Sequence, residues 1–559
     1  MKKQDFGMQM TLPTSQPDFD QACTTYFTQP STSHPLHALL TTPLSPTLVT
    51  QLLSFARSSN LYTTQFISRL LAYHIQNGTS ALNIPFCIQQ IFPLTQYVGS
   101  AYAPLYAALL LASWRASPAA ITPDVNTLCN MTDQCNDIGQ KQALFSLLTT
   151  LVNEFAKTKS LPVAVSKTFK EQSLIRITET VVATVFALSP TDHHHLAVLA
   201  TALETFSTVL EAPFISTDDE VIILQIPSAF AEILGNAAFR ERLHAFFVPG
   251  AHVRQLLQTC ISLASIRETL FFGAQRAAYA EYLSRTAALL CRFASNEDTT
   301  HLASVFLKRL ILLRRVPAAP FFADCLALFE RVVRAASDNT NALFNLLYMY
   351  ARWVEAYPCA ADDRPVIREA VQRVVDLVVQ LYLGSADVPE DAADLVDDFG
   401  VIGRMDYQRT AELIVARTDA LLAETTRLCA AGVGAAAACR ILRHVADAVL
   451  LVRILLENQV PSKADQNDER LDVVLFALVM RVVAAEPHWL RTLGAAPELT
   501  DLELHVLDTM LVIRQCIYND SVSRNVRAPR LTRRPAAASG RSSPSRRRRT
   551  SSWSSSARP

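Results

Sequence analysis

The sequence predicts an all-α protein laid out as an α-solenoid, a superhelix of antiparallel helix pairs, followed by a disordered basic tail. Three observations predict it. Apolar residues recur at helical spacing wherever a pattern is readable. Glycine is scarce, 14 in 559 residues, which poorly supplies a fold of Gly-rich phosphate loops and tight hairpins. The breaks between helical stretches are short and carry helix punctuation. Half of the residues are apolar and 18% are charged, so there is material for a large core and wholesale disorder is excluded.

Residues 1–45 are rich in Pro, Ser and Thr and are expected to be poorly ordered or divergent. The stretch Leu70 to Trp114 has no Lys, Arg, Asp or Glu, but Asn83, Pro85, Gln89, Gln90, Pro93 and Gln96 cut it, so no membrane helix is expected there. The start, MKKQDFGMQM, lacks the apolar stretch of a secretory signal. Asn77-Gly78 closes one helix, Ser189-Pro190-Thr191-Asp192 opens another, and Pro317 and Pro320 separate two more. Glu220 to Ile226 is the one plausible extended piece. Helical stripes follow: Tyr279, Tyr282, Leu283, Thr286, Leu290 and Phe293; then Val371, Val374, Val375, Val378, Val379 and Tyr382; then Leu442, Val445, Val449, Val452 and Leu456. The valines sit in a helix pattern despite their β-branched side chains. A long all-helical chain can form a closed multi-helix globule or a stacked solenoid; helix pairs take roughly 40 residues each, the spacing of HEAT-type repeats, and that favours the solenoid although no strict repeated motif is visible.

The formal net charge of zero joins two unlike pieces. Residues 521–559 hold 11 arginines and no Asp, Glu or Lys, which leaves 40 basic against 51 acidic side chains in residues 1–520. An acidic body suits basic partners. The 11 cysteines are scattered without a CxxC and read as small, buried, reduced side chains.

Chemistry finds little support in the sequence. Gly432-Val433-Gly434 followed by three alanines matches the loose GxGxxA form, but it follows the helical run Ala411 to Ala431 instead of a strand, so a helix–helix turn is expected. His193, His194 and His195 point about 100° apart on a helix and do not converge on one metal; they read as a solvated first turn behind Asp192 or Thr191. His34 and His37 have no Cys or carboxylate near them in sequence. No Walker loop, GxSxG elbow or HExxH is present. The expectation is a non-enzyme with no catalytic residue, metal or cofactor. The acidic run Asp387, Glu390, Asp391, Asp394, Asp397 and Asp398 reads as a solvated loop or as a binding element for a basic partner. Arg546, Arg547, Arg548 and Arg549 form a candidate basic signal in the tail.

Several segments, taken in order, resemble one branch of the importin-β (karyopherin) superfamily, that of exportin 7. They are Leu61 to Leu71 (LYTTQFISRLL), the helix Tyr102 to Trp114, Ser146 to Glu154 (SLLTTLVNE), Phe214 to Glu220 (FISTDDE), Gln225 to Ser228 (QIPS), Ile261 to Phe271 (ISLASIRETLF), Leu346 to Trp353 (LLYMYARW) and Val401 to Thr410 (VIGRMDYQRT). Order and spacing carry the resemblance more than any single block does. It implies HEAT-type repeats, with residues 46–160 as N-terminal repeats that contact Ran, 161–520 as exportin-like repeats, and 521–559 as the Arg/Ser-rich tail. It further implies a nuclear transport receptor that binds the GTPase Ran in its GTP form, protein cargo and nuclear-pore FG repeats, and that shuttles between nucleus and cytoplasm with no membrane or specific nucleic-acid partner. Such receptors are much longer, and the resemblance stops near Asp520, so the chain reads as their N-terminal half. In a charge-free first region, Ran contact would rest on amides, with Asn83, Gln89 and Gln96 as candidates. The reading from another class is a non-transporting helical scaffold that assembles other proteins.

Overall fold

The computed structural model describes residues 12–13, 15–29, 34–40, 43–58, 60–77, 83–96, 101–158, 161–211, 214, 223–312, 320–335, 339–356, 364–384, 397–431, 435–458, 469–493 and 496–527. In chain order its helices are α1 (Gln16–Thr28), α2 (Pro35–Ala38), α3 (Pro46–Phe55), α4 (Leu61–Asn77), α5 (Ile84–Ile91), α6 (Ala103–Ala116), α7 (Ile121–Gln134) and α8 (Ile138–Lys157). Then come α9 (Val163–Thr168), α10 (Leu174–Ala187), α11 (His193–Glu211), α12 (Ala231–Leu234), α13 (Ala237–Ala245), α14 (Val253–Ala264), α15 (Ala274–Phe293) and α16 (Glu297–Leu312). The last are α17 (Pro320–Arg334), α18 (Thr340–Ala356), α19 (Arg364–Gly384), α20 (Asp397–Gly403), α21 (Tyr407–Ala431), α22 (Ala435–Glu457), α23 (Glu469–Leu493) and α24 (Pro497–Arg527).

These helices stack as two rows, each helix packing on the next but one in the chain, or on the next but two where the short α9 or α12 intervenes. One row contains α7, α10, α13, α15, α17, α19, α21 and α23; the other contains α4, α6, α8, α11, α14, α16, α18, α20, α22 and α24. That alternation is the α-solenoid the sequence predicts. Each amphipathic helix buries one stripe, and the stripes named from the sequence are the buried ones. Val371, Val374, Val375, Val378, Val379 and Tyr382 are all 2% exposed or less, and Leu442, Val445, Val449, Val452 and Leu456 are likewise buried. The buried side chains form one continuous core cluster along the stack, as expected when each repeat covers the face of its neighbour.

Local chemistry sets the helix ends. Ser15, Ser45, Asn83, Asp137 and Asn236 each accept a backbone N–H at an N-terminus, satisfying a donor that the helix leaves unpaired. Pro35 and Pro46 occupy first-turn positions where the missing N–H costs nothing. Phe169 to Ser173 forms a π segment between α9 and α10, and it tucks Phe169 against Phe155 (4.1 Å between ring centroids) and Trp114 (5.6 Å). Within the expected extended piece, Leu224 makes a single parallel bridge to Ile266, with the Leu224 N–H donating to the Ser265 carbonyl at 2.9 Å; residues 220–222 lie outside the described residues.

The two rows are joined differently. In the first, a carboxylate of one helix meets an arginine of the next: Asp133–Arg176 at 2.6 Å, Glu241–Arg285 at 2.5 Å, Glu330–Arg373 at 2.9 Å, Asp376–Arg409 at 3.1 Å and Asp419–Arg481 at 2.8 Å. In the second, small hydroxyls meet in the interior. Thr149 and Thr205 are 2.8 Å apart between α8 and α11, Ser207 and Thr259 3.0 Å between α11 and α14, and Asn345 donates to Ser304 at 3.1 Å between α18 and α16.

Candidate functional site

Near the N-terminal end, residues of α5, α6 and α7 line a cleft of about 520 Å³. From α5 and the short 3-10 turn after it come Pro85, Ile88, Gln89 and Phe92; from α6 come Tyr106, Leu110 and Ser113; Ala120, Asp124, Thr127 and Leu128 complete the wall. The sequence builds it locally. Asn83 caps α5 by accepting the Phe86 N–H at 3.2 Å, Pro85 starts the helix, and the 3-10 turn presents Phe92 to Tyr106, with ring centroids 5.3 Å apart. Trp114 is fully buried beneath, and its indole N–H donates to Asp124 at 2.8 Å, so the one carboxylate in the wall is fixed from behind. Burial, reinforced by the Asp124 charge, pushes the Tyr106 phenol up and keeps it neutral. The result is an aromatic-walled slot that holds one carboxylate, Asp124, and is edged by the hydroxyls and amide of Ser113, Thr127 and Gln89. Such a surface binds apolar or aromatic side chains and offers hydrogen bonds to a peptide backbone.

Of the three amides singled out in the sequence, only Gln89 lines this cleft, and it is exposed. The Asn83 oxygen is used in the cap, and the Gln96 oxygen accepts from the Gln140 amide at 3.2 Å. The cleft residues Phe92, Tyr106, Ser113 and Asp124 were not singled out. The readable trace of them is a run of aromatics (Phe86, Phe92, Tyr97, Tyr102, Tyr106 and Trp114) in a charge-free stretch and a Trp ten residues before an Asp.

In the acidic run, Asp398 is half-buried in α20; Asp387, Glu390, Asp391 and Asp394 lie outside the described residues, as does the side chain of Asp397. Arg546 to Arg549 also lie outside them. Gly432 to Gly434 do too, but helices lie on both sides, α21 before and α22 after, so the strand a dinucleotide loop requires does not precede it. The histidine triplet opens α11 as its cap predicts. Asp192 accepts the His194 N–H at 2.8 Å and the His195 N–H at 3.4 Å, and those bonds hold its carboxyl below the usual carboxylate range. His34 caps α2, and His37 faces the Tyr26 hydroxyl at 3.4 Å. Among the described residues no group of three His, Cys, Asp or Glu is placed to hold a metal ion.

The block Val401 to Thr410 is a structural joint. Arg404 is 1% exposed, lies 4.1 Å from the Tyr407 ring centroid, donates from Nε to the Leu455 carbonyl at 2.7 Å and faces Asp472 at 3.5 Å. The Tyr407 hydroxyl donates to the same carboxylate. Asp406 is held by Arg368, at 3.2 Å to each oxygen, and by Gln372. A Cβ on Gly403 would lie 2.8 Å from Leu455 Cδ2 and 3.1 Å from Thr410 Cγ2, so a larger residue there would make those side chains shift. This one decapeptide ties α19, α21, α22 and α23 together.

No family model and no curated protein matches the chain. Solved structures similar to it include importin β in an ammonium sulfate condition, with a TM-score of 0.39 and 10% identity over 92% of this chain and 64% of that one. A structure from work on the phosphorylation switch between cadherin and β-catenin has a TM-score of 0.37 and 9% identity, covering 89% of this chain and 97% of that one. SYS-1 gives a TM-score of 0.23 and 13% identity over 89% of this chain and 76% of that one.

Proposed function

We propose that this solenoid is a protein-binding receptor of the nuclear transport class, which engages Ran in its GTP form, protein cargo and the phenylalanines of pore FG repeats. It is a carrier and not an enzyme, and it moves between nucleus and cytoplasm. The observation that carries the reading is the aromatic cleft of α5, α6 and α7, whose Tyr106, Leu110 and Ser113 belong to the Tyr102 to Trp114 segment that resembles exportin-type repeats. A slot walled by Phe92 and Tyr106, with Gln89, Ser113 and Thr127 at its edge, suits an isolated Phe side chain and the peptide around it. Directional transport needs no chemistry in the receptor. It needs a coupling free energy of roughly 1–3 kcal/mol between GTPase and cargo sites, which hydrolysis on the GTPase then removes.

The alternative, a helical scaffold that assembles proteins without a nucleotide-dependent partner, is favoured by one observation. From Leu70 to Trp114 no Lys, Arg, Asp or Glu is available to contact a charged GTPase surface. One experiment separates the two. The affinity of the purified chain for Ran loaded with a GTP analogue is compared with that for Ran-GDP by biolayer interferometry. Tighter binding to the GTP form is expected; equal affinities, or no binding to either, leave the scaffold reading.

A further inference from the structure

The cleft of α5, α6 and α7 holds two polar groups that the protein itself leaves unanswered. Tyr106 is only 7% exposed, yet it lines the cleft. Its hydroxyl makes no hydrogen bond among the described residues. Asp124 is half-buried on the α7 side, where its Oδ2 accepts the Trp114 indole N–H at 2.8 Å. No described residue donates to its Oδ1, and no Lys, Arg or His among the described residues forms an ion pair with it. The stretch from Leu70 to Trp114, which supplies most of the wall, has no cation to offer. The carboxylate is near enough to Tyr106 to help push its phenol up. Around these two groups the wall is apolar, with Ile88, Leu110 and Leu128.

We propose that the occupant of this cleft is a peptide segment in which a lysine stands next to the apolar or aromatic side chain, its ammonium meeting Asp124 and the Tyr106 hydroxyl. The proposal rests on the reading of the cleft as a peptide-binding slot and adds the charge that the peptide must carry. Any occupant that fills the slot strips water from Asp124. A purely apolar occupant leaves that carboxylate buried without a partner, which opposes binding, whereas a cation carried by the occupant turns the same group into an attraction. Lysine suits the site better than arginine. With Oδ2 already bonded to the indole, the carboxylate presents Oδ1 first, and the point charge of an ammonium needs one oxygen where the guanidinium fork seeks two. The other ammonium protons have acceptors in the hydroxyls of Tyr106, Ser113 and Thr127. Its apolar stem matches Ile88, Leu110 and Leu128, and the rings of Phe92 and Tyr106 favour a cation over a neutral or acidic neighbour.

The test is fluorescence polarisation of three fluorescein-labelled peptides, GGFKGG, GGFGGG and GGFEGG, titrated with the full chain. In low salt GGFKGG should bind roughly 5-fold more tightly than GGFGGG, with GGFEGG the weakest, and high salt should shrink the differences. Asp124→Asn keeps an acceptor for the Trp114 indole and should bring the ratio of GGFKGG to GGFGGG affinities to about one. Should that variant misfold, the order of the peptides on wild type and its salt dependence decide by themselves. Phe92→Ala should weaken all three, which locates the binding in the cleft. If the three peptides bind equally and Phe92→Ala weakens them, the phenylalanine slot stands and the lysine recognition is overturned. A lysine preference that survives Asp124→Asn overturns it as well, and a chain that binds none of the peptides overturns the slot and the lysine recognition together.

Discussion

Along the row that runs from α7 to α23, neighbouring helices are joined by arginine–carboxylate pairs at the surface, whereas along the row from α8 to α18 they are joined by buried hydroxyls. The same architecture is therefore held by two chemistries with different sensitivities. A buried hydroxyl pair tolerates little displacement and ignores salt, because each oxygen that loses its partner is left without water. A surface ion pair adds little energy but fixes which helix meets which, and it fades as ions screen it. The rows are not pure: Arg453 of α22 meets Asp508 of α24 at 3.1 Å at the far end of the hydroxyl row. The contrast also bears on the acidic body. Arg176, Arg285, Arg373, Arg409 and Arg481 are all engaged between helices, so these cations are occupied inside the scaffold.

The largest effect is expected where both chemistries meet, at the joint around Arg404. Its side chain is fully buried, and Asp472 is its carboxylate partner. Asp472→Ala removes a carboxylate from beside the buried guanidinium and an acceptor of the Tyr407 hydroxyl, at a cost of roughly 3–5 kcal/mol. Replacing Arg404→Met together with Asp472→Leu should recover most of that loss, because the desolvation cost disappears with the charge. Urea unfolding followed by circular dichroism reads both. If Asp472→Ala costs no more than an exposed ion pair, about 1 kcal/mol or less, the joint is not the brace its geometry indicates.

Much of the scaffold is legible in the sequence because burial on one helix face leaves a period of 3.6, and Val371 to Tyr382 shows it without help. The repeat length shows again in the structure: Asp133–Arg176, Glu241–Arg285 and Glu330–Arg373 are separated by 43, 44 and 43 residues, while Asp376–Arg409 and Asp419–Arg481 are separated by 33 and 62. The pairs themselves are hidden among 102 charged residues until the rows are known. The cleft is less legible still. Its wall comes from three helices, and no local pattern encodes how they are brought together. The Val401 to Thr410 block stands out in sequence, but its residues serve packing: Gly403 lies against Leu455, and Arg404 and Asp406 bond to neighbouring helices.

The hydroxyl row is sharpened by Thr205. It is fully buried, and its hydroxyl faces Thr149 at 2.8 Å, the Thr201 carbonyl at 2.9 Å and the Phe145 carbonyl at 3.2 Å. Thr205→Val removes these contacts and strands the Thr149 hydroxyl, which should cost about 1–3 kcal/mol. Thr149→Val with Thr205→Val leaves no stranded hydroxyl and should cost less than the single change. The thermal midpoint of each variant, measured in low and high salt, should fall by an amount that salt does not alter.

The ion-pair row is expected to behave the opposite way and more weakly. Glu241 and Arg285 are both about half exposed, so Glu241→Gln should cost only about 0.2–1 kcal/mol, and less in 1 M salt. The bond to Arg285 holds the Glu241 carboxyl below its ordinary value, ahead of the opposing effect of partial burial. A carboxyl depressed on folding contributes stability that is fully present above its unfolded pKa and is lost as pH falls through the folded one. Wild type should therefore lose this contribution on acidification below the ordinary glutamate range, and Glu241→Gln should lack that part of the acid limb. Differential scanning fluorimetry across pH at two salt concentrations checks both. A salt-independent loss from Glu241→Gln equal to that from Thr205→Val would erase the distinction between the two rows.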